Sequence, residues 1–282
     1  MYDAIVLPWV ASVYDATMSH PPARPKRYAL AIELTSYCNQ KCSYCYNAWR
    51  DDGGKSTGAL PTEQLLALVD RALTEVDFDH VTITGGEPFS RQDIFEVLDV
   101  CTRHGVAAHI ISNGGLITNE ICARLKSYKL LGIQVTLDGP TRELHDEHVG
   151  GVGHHERTLR GMRALVAHEL PLVGSIVITR KNASFVGEVL EQFRAFGVRS
   201  VALSRFSPAG YAAAHVAELL PSRSDMIRAL EQAEPFSRDH GIPSSHDTCA
   251  SVRDRARRLS AHLVRWLSDW YRDARAGAWP TR

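Results

Sequence analysis

Apolar residues gather along this chain in short runs separated by longer segments of helical spacing. The run "RYALAIEL", Arg27 to Leu34, has the length and composition of a strand. Pro61 to Val76 opens on Pro61, Thr62 and Glu63 and repeats Leu65, Leu66, Val69 and Leu73, which predicts a helix. "HVTIT", His80 to Thr84, predicts a second strand, with a helix over Arg91 to His104 behind it. The unit then recurs. Val106 to Ser112 precedes a helix near Thr118 to Tyr128, and Gly132 to Leu137 a helix near Glu156 to His168. Pro171 to Thr179 precedes a helix near Phe185 to Phe196, and Ser200 to Phe206 one near Asp225 to His240.

Six strands alternating with helices, each strand read as apolar on both faces, predict an α/β fold with a parallel sheet covered by helices. A doubly wound sheet and a partial barrel both satisfy this alternation, and no solenoid repeat accompanies it. In either architecture the ligand lies beyond the carboxyl ends of the strands. The loop after the first strand, Gly85-Gly86-Glu87-Pro88, Ser112-Asn113-Gly114 and Asp138-Gly139 would converge there.

Composition narrows the class. The chain has 282 residues, 44% hydrophobic and 23% charged, which suits one main core with an appendage and indicates neither disorder nor a membrane-embedded body. Lys plus Arg (32) balances Asp plus Glu (32), so no global basic field favours nucleic acid. The N-terminal stretch carries Asp3 and Asp15 and no basic leader, which argues against a signal peptide, and no apolar run is long enough to span a bilayer. A cytoplasmic location is expected, where thiols stay reduced and clustered cysteines bind metal or do redox chemistry.

The cysteine cluster is "TSYCNQKCSYCYN", with Cys38, Cys42 and Cys45 spaced Cys-x3-Cys-x2-Cys. Such a loop brings three thiolates around one cluster and leaves a position unfilled by protein. Structural zinc would want a fourth Cys or His at finger-like spacing, which this loop does not supply. A set of reduced thiols is the plain alternative.

Tyr44 completes the pattern Cys-x3-Cys-x-aromatic-Cys after a first barrel-type strand, and "GGEP" follows the second strand as Gly85-Gly86-Glu87-Pro88. Together these motifs resemble the radical S-adenosylmethionine (SAM) superfamily, over roughly Arg27 to Gly210. The resemblance implies a partial (β/α)6 TIM-type barrel with a short helical C-terminal extension. It implies a [4Fe-4S] cluster on the three thiolates, its fourth iron chelated by the amino and carboxylate groups of SAM. An electron from a reductant such as flavodoxin or ferredoxin would then cleave SAM to methionine and a 5′-deoxyadenosyl radical that takes hydrogen from substrate.

The same resemblance suggests roles for further residues. Gly85, Gly86, Glu87 and Pro88 would meet the SAM ammonium, and Ser112 and Asn113 its ribose or carboxylate, although Asn-Gly is also an ordinary turn. Thr136 and Asp138 would contact SAM, with capping by Asp138 as the alternative. Arg180 offers a fork for the SAM carboxylate, but an exposed Arg at a strand end is commonplace. Tyr44 would lie against the adenine or simply pack.

"TRELHDEHVGGVGHHERTLRG", Thr141 to Gly161, resembles the substrate-side loop of peptide-modifying members, with His145 and Asp146, although Val149-Gly150 stands where Arg-Gly is usual. Its histidines, His145, His148, His154 and His155, are read as solvated loop residues. "SRFSPAGYA", Ser204 to Ala212, resembles the segment leading into a SPASM or twitch extension, which binds auxiliary clusters through further cysteines. After Gly241 only Cys249 remains, while Cys101 and Cys122 fall in helices as small core residues, so no complete auxiliary site is expected.

The Arg- and Trp-rich tail reads as an amphipathic helix with Leu259, Leu263, Leu267 and Trp270 on one face, or as a lost cysteine-bearing extension. The expected organisation is an N-terminal extension (1–26), the core barrel (27–210) and a C-terminal helical region (211–282), an incomplete or divergent SPASM/twitch-like extension. The expected substrate is a peptide or protein side chain. A small metabolite or cofactor precursor, or a catalytically impaired relic that still binds SAM and cluster, are the alternatives.

Overall fold

The computed structural model describes residues 28–47, 59–198 and 200–240. The expected N-terminal extension, Cys249 and the tail helix around Leu259 to Trp270 lie outside these residues. The strands are β1 (Tyr28–Glu33), β2 (Phe78–Thr84), β3 (Ala107–Ser112), β4 (Leu130–Thr136), β5 (Leu172–Ile178) and β6 (Val201–Arg205). The helices are α1 (Thr62–Glu75), α2 (Ile94–Arg103), α3 (Asn119–Leu125), α4 (Arg142–Val149), α5 (His154–Ala167), α6 (Val186–Ala195), α7 (Val216–Leu219) and α8 (Arg223–His240).

All six strands are parallel and lie in sequence order, β1-β2-β3-β4-β5-β6. A doubly wound sheet would reverse its order at a switch point. Here the order never reverses, so crossovers of one hand place every connecting helix on the same face, and the sheet is a partial barrel with helices outside. Among the described residues, β6 forms no ladder with β1.

The helix-facing side is the core. Val81, Ile83, Ile110, Ile133, Val135 and Ile176 are fully buried against Val69 of α1, Leu98 of α2, Leu165 of α5 and Phe193 of α6. The other side corrects the reading of strands apolar on both faces. Register aligns Ala31 with Thr82, Thr82 with His109, Glu33 with Thr84, and Thr136 with Ser175. In a parallel ladder aligned residues share a face, so this inner surface is polar. Ala29, Ala31 and Glu33 on it are exposed on β1, at the end of the strand order, whereas Thr82 and Ser175 on the same face are buried.

Two elements were not legible as helix. α4 lies where a substrate-side loop was expected, capped by Thr141 Oγ1 accepting from the Leu144 amide and ended by Gly150 at φ 72°. After β6 the chain forms a 3₁₀ turn, Gly210–His215, that runs into α7. Phe206, Ala212 and Leu219 make a small second core there, with Tyr44 packed against it.

Candidate active site

The cysteine loop follows β1 and is held from three sides by backbone hydrogen bonds. From the loop after β2, Gly86 N donates to Thr35 O at 2.7 Å and Glu87 N to Tyr37 O at 2.8 Å. At the end of α4, Lys41 N and Ser43 N donate to Val149 O and His148 O, each at 2.9 Å. These carbonyls at a helix C-terminus lack intrahelical partners, so the loop satisfies them. After β6, Ala212 N donates to Cys45 O at 2.9 Å.

Glu87 is fully buried and organises two loops. Oε1 accepts from Ser112 Oγ at 2.8 Å and from Phe89 N at 3.1 Å, and Oε2 accepts from Asn113 N at 2.8 Å. Burial pushes its carboxyl up to about 7, against the pull of these donors. Asn113 passes the contact on: its amide donates to Asn39 Oδ1 at 2.7 Å and lies 3.7 Å from Cys38 Sγ. Its Oδ1 also accepts from Gly115 N at 2.9 Å, so the turn reading holds beside the ligand reading. Pro88 is buried in a 3₁₀ turn beneath this junction.

Cys38, Cys42 and Cys45 form no disulfide and are half-buried, whereas Cys101 and Cys122 are buried core residues as expected. Burial raises the Cys38 thiol to about 11, with the Glu87 and Cys45 charges adding to it. Cys42 is raised further, by burial and then by Cys38. Three thiolates crowded in this way repel one another until a cationic group neutralises them, which is what a metal cluster supplies. Among the described residues no three His, Cys, Asp or Glu side chains converge on a single ion position. Three thiolates from one loop match the chemistry of a four-iron cluster, which takes one thiolate per iron and can leave one iron open to another ligand. The donor set fits a [4Fe-4S] group.

Asp138, fully buried beyond the end of β4, caps no helix: its Oδ1 accepts from Val177 N of β5 at 2.8 Å. Its carboxyl is pushed up by burial. The half-buried Tyr44 ring presents its hydroxyl to both Asp138 and Cys42, and loss of water at that end drives the phenol well above its ordinary value. Thr136 ends β4 half-buried beside Ser175. Arg180 is not brought to the cysteine loop. It is exposed, and its guanidinium donates to Ala217 O of α7 at 2.9 Å.

The histidines correct the expectation of a solvated loop. His145 and His148 are buried in α4, and His154 is buried at the start of α5. Asp138 N donates to His145 Nδ1 at 3.2 Å, and burial pushes that imidazole down to about 3, with His155 adding to the effect. His148 lies between Leu144 O and Thr179 Oγ1, both at 2.8 Å. Thr179 N donates to Asn182 Oδ1 at 2.7 Å, and Asn182 Nδ2 to Asp138 O at 2.9 Å. His145 and His148 therefore belong to a buried network joining α4 to the segments that follow β4 and β5.

Residues 32–204, more than half of the chain, match the family model described as the radical SAM superfamily. The chain belongs to the radical SAM superfamily. Members of this family bind a [4Fe-4S] cluster and SAM. Mycofactocin maturase MftC of Mycobacterium tuberculosis is 31% identical to it, over 72% of this chain and 50% of that protein. PqqA peptide cyclase of Methylocella silvestris is 27% identical, over 77% of this chain and 60% of the relative. In structure it is similar to Streptococcus suis SuiB bound to precursor peptide SuiA, with a TM-score of 0.65 and 19% identity, covering 78% of this chain and 48% of SuiB. This radical SAM chain spans about half the length of the MftC sequences that it matches.

Two features of this radical SAM site escaped sequence reasoning. Arg91, half-buried, forks onto Asp93 and donates to Leu34 O at 2.8 Å, so it braces the start of the cysteine loop. Lys181 bridges Glu147 of α4 and Glu218 of α7. A lone Arg after a turn and a lone Lys in a loop carry no sequence signal for either contact.

Proposed function

We propose that this protein is a radical SAM oxidoreductase that abstracts hydrogen from a peptide or protein side chain. The observation that carries the reading is the three-sided anchoring of the three-cysteine loop, whose Cys38 thiol stands beside the Glu87–Asn113 junction at the carboxyl ends of the strands. Cys38, Cys42 and Cys45 would hold a [4Fe-4S] cluster, which when bound would supply the electron for reductive cleavage of SAM.

The chain's own residues position the reactants. Gly85, Gly86, Glu87 and Pro88 shape the SAM side of the loop, and Ser112 and Asn113 fix the neighbouring edge. Glu87 is saturated by Ser112, Asn113 and Phe89, so its part is to set that geometry, leaving backbone groups to meet the SAM ammonium. Thr136, Asp138 and Tyr44 close the opposite side. Arg180 is proposed for the SAM carboxylate only if it leaves Ala217 O. Holding the sulfonium near the cluster makes the electron transfer effectively unimolecular. The proposal assigns the barrel to 27–210 and a C-terminal region to 211–282; no helix of the described residues is long and apolar enough to cross a membrane.

The peptide reading rests on the relatives' names, a maturase and a peptide cyclase. Anaerobically reconstituted protein, given SAM and dithionite, is expected to release 5′-deoxyadenosine, and a cognate peptide is expected to raise its yield and lose hydrogen by mass. Release stimulated by a small metabolite instead would replace the substrate class. No release at all would make the chain a binding relic.

A further inference from the structure

We propose that Gly150 and Gly210, together with Gly86, form a three-point backbone seat that sets the positions of the cysteine ligands. Each glycine comes from a different element and meets the carbonyl of a residue adjoining a different cysteine. A Cβ on Gly86 would lie 2.0 Å from Tyr37 O, next to Cys38. On Gly150 it would lie 2.3 Å from Lys41 O, next to Cys42. On Gly210 it would lie 1.9 Å from Tyr46 O, next to Cys45. All three contacts are backbone to backbone, so no flexible side chain can move aside to admit a methyl group.

The hydrogen bonds around each glycine point the same way. Glu87 N, Val149 O and Ala212 N, neighbours of the three glycines, bond Tyr37 O, Lys41 N and Cys45 O. The loop is thus gripped once near each cysteine, by the turn after β2, the end of α4 and the segment after β6. A cluster with one thiolate per iron needs all three sulfurs placed together, and groups behind the ligands control how well a metal site holds. Gly150 and Gly210 are therefore positioning residues, and this role rests on the cluster reading above.

Two other glycines make the test specific. Gly105 and Gly197 also sit at φ +69°, close to the +72° of Gly150 and the +56° of Gly210, but a Cβ on either meets nothing within 4 Å. An alanine there carries the same backbone strain without the collision. The experiment loads wild type, Gly105→Ala, Gly197→Ala, Gly150→Ala and Gly210→Ala with iron and sulfide under anaerobic conditions. It then follows iron per chain, visible absorption and the rate of iron loss to a chelator, with circular dichroism as the fold control.

Gly150→Ala and Gly210→Ala are expected to stay folded and to lose iron at least about tenfold faster than the Gly105 and Gly197 variants. Equal retention in all four variants would overturn the seat. Global unfolding of both seat variants with both controls folded would also overturn it, since the effect would then belong to the barrel. Failure of wild type to take up iron would instead overturn the cluster reading itself.

Discussion

The Ser112 hydroxyl donates to Glu87 Oε1 at 2.8 Å, so a fully buried carboxyl ties the end of β3 to the loop after β2. Glu87→Ala would leave the Ser112, Asn113 and Phe89 donors without their acceptor. Each costs roughly 1–3 kcal/mol when buried and unpaired. Denaturant titration of the metal-free protein is expected to show a loss of at least about 3 kcal/mol, with cofactor uptake impaired in parallel.

Glu87 also gives a pH signature. Its carboxyl ionises near 7 in the folded chain against an ordinary 4.5. The unfolded chain therefore releases this proton first as pH rises, and the folded state loses stability between those values, by about 3 kcal/mol in total. Glu87→Gln removes this titration. Unfolding curves from pH 4.5 to 7 should fall less steeply for the variant, and parallel curves would refute the assignment.

His145 acts in the opposite direction. Its folded value near 3 lies below the ordinary 6.5, so acid protonates the unfolded chain first and stability is lost as pH falls through that window. One such group contributes a slope of up to about 1.4 kcal/mol per pH unit. His145→Asn keeps an acceptor for Asp138 N and cannot titrate. It should flatten the acid limb measured by circular dichroism.

Arg91→Lys keeps the charge but loses the fork on Asp93 and the reach to Leu34 O. A loss of about 2–3 kcal/mol is expected from these charged hydrogen bonds. A melting temperature equal to wild type would show that Arg91 does not brace the loop.

How much of this was visible in the sequence follows from what each residue depends on. The six strands and Cys38, Cys42 and Cys45 were legible because hydrophobic runs and ligand spacing are local signals. The polar inner face was not: Thr82 and His109 share a side only through the register of two strands. α4 was missed because its buried face carries His145, Asp146 and His148, whose partners on other elements no local pattern reveals. Gly150 and Gly210 entered the sequence reading only through the Val149-Gly150 pair and the SRFSPAG segment, since the carbonyls that demand them, on Lys41 and Tyr46, are far away in sequence.

Asn113 is expected to tune the loaded protein, because its amide lies 3.7 Å from Cys38 Sγ and hydrogen bonds to ligand sulfurs raise cluster potentials. Asn113→Ala should shift the midpoint to more negative values in an anaerobic redox titration. An unchanged midpoint would remove this contact from the account.

The most direct test is electron paramagnetic resonance of the reduced, reconstituted protein with and without SAM. Binding to an open iron held by Cys38, Cys42 and Cys45 predicts about four irons per chain, a spectrum that shifts when SAM is added, and loss of both in Cys42→Ala. A spectrum indifferent to SAM, or iron that survives removal of these thiols, would contradict it.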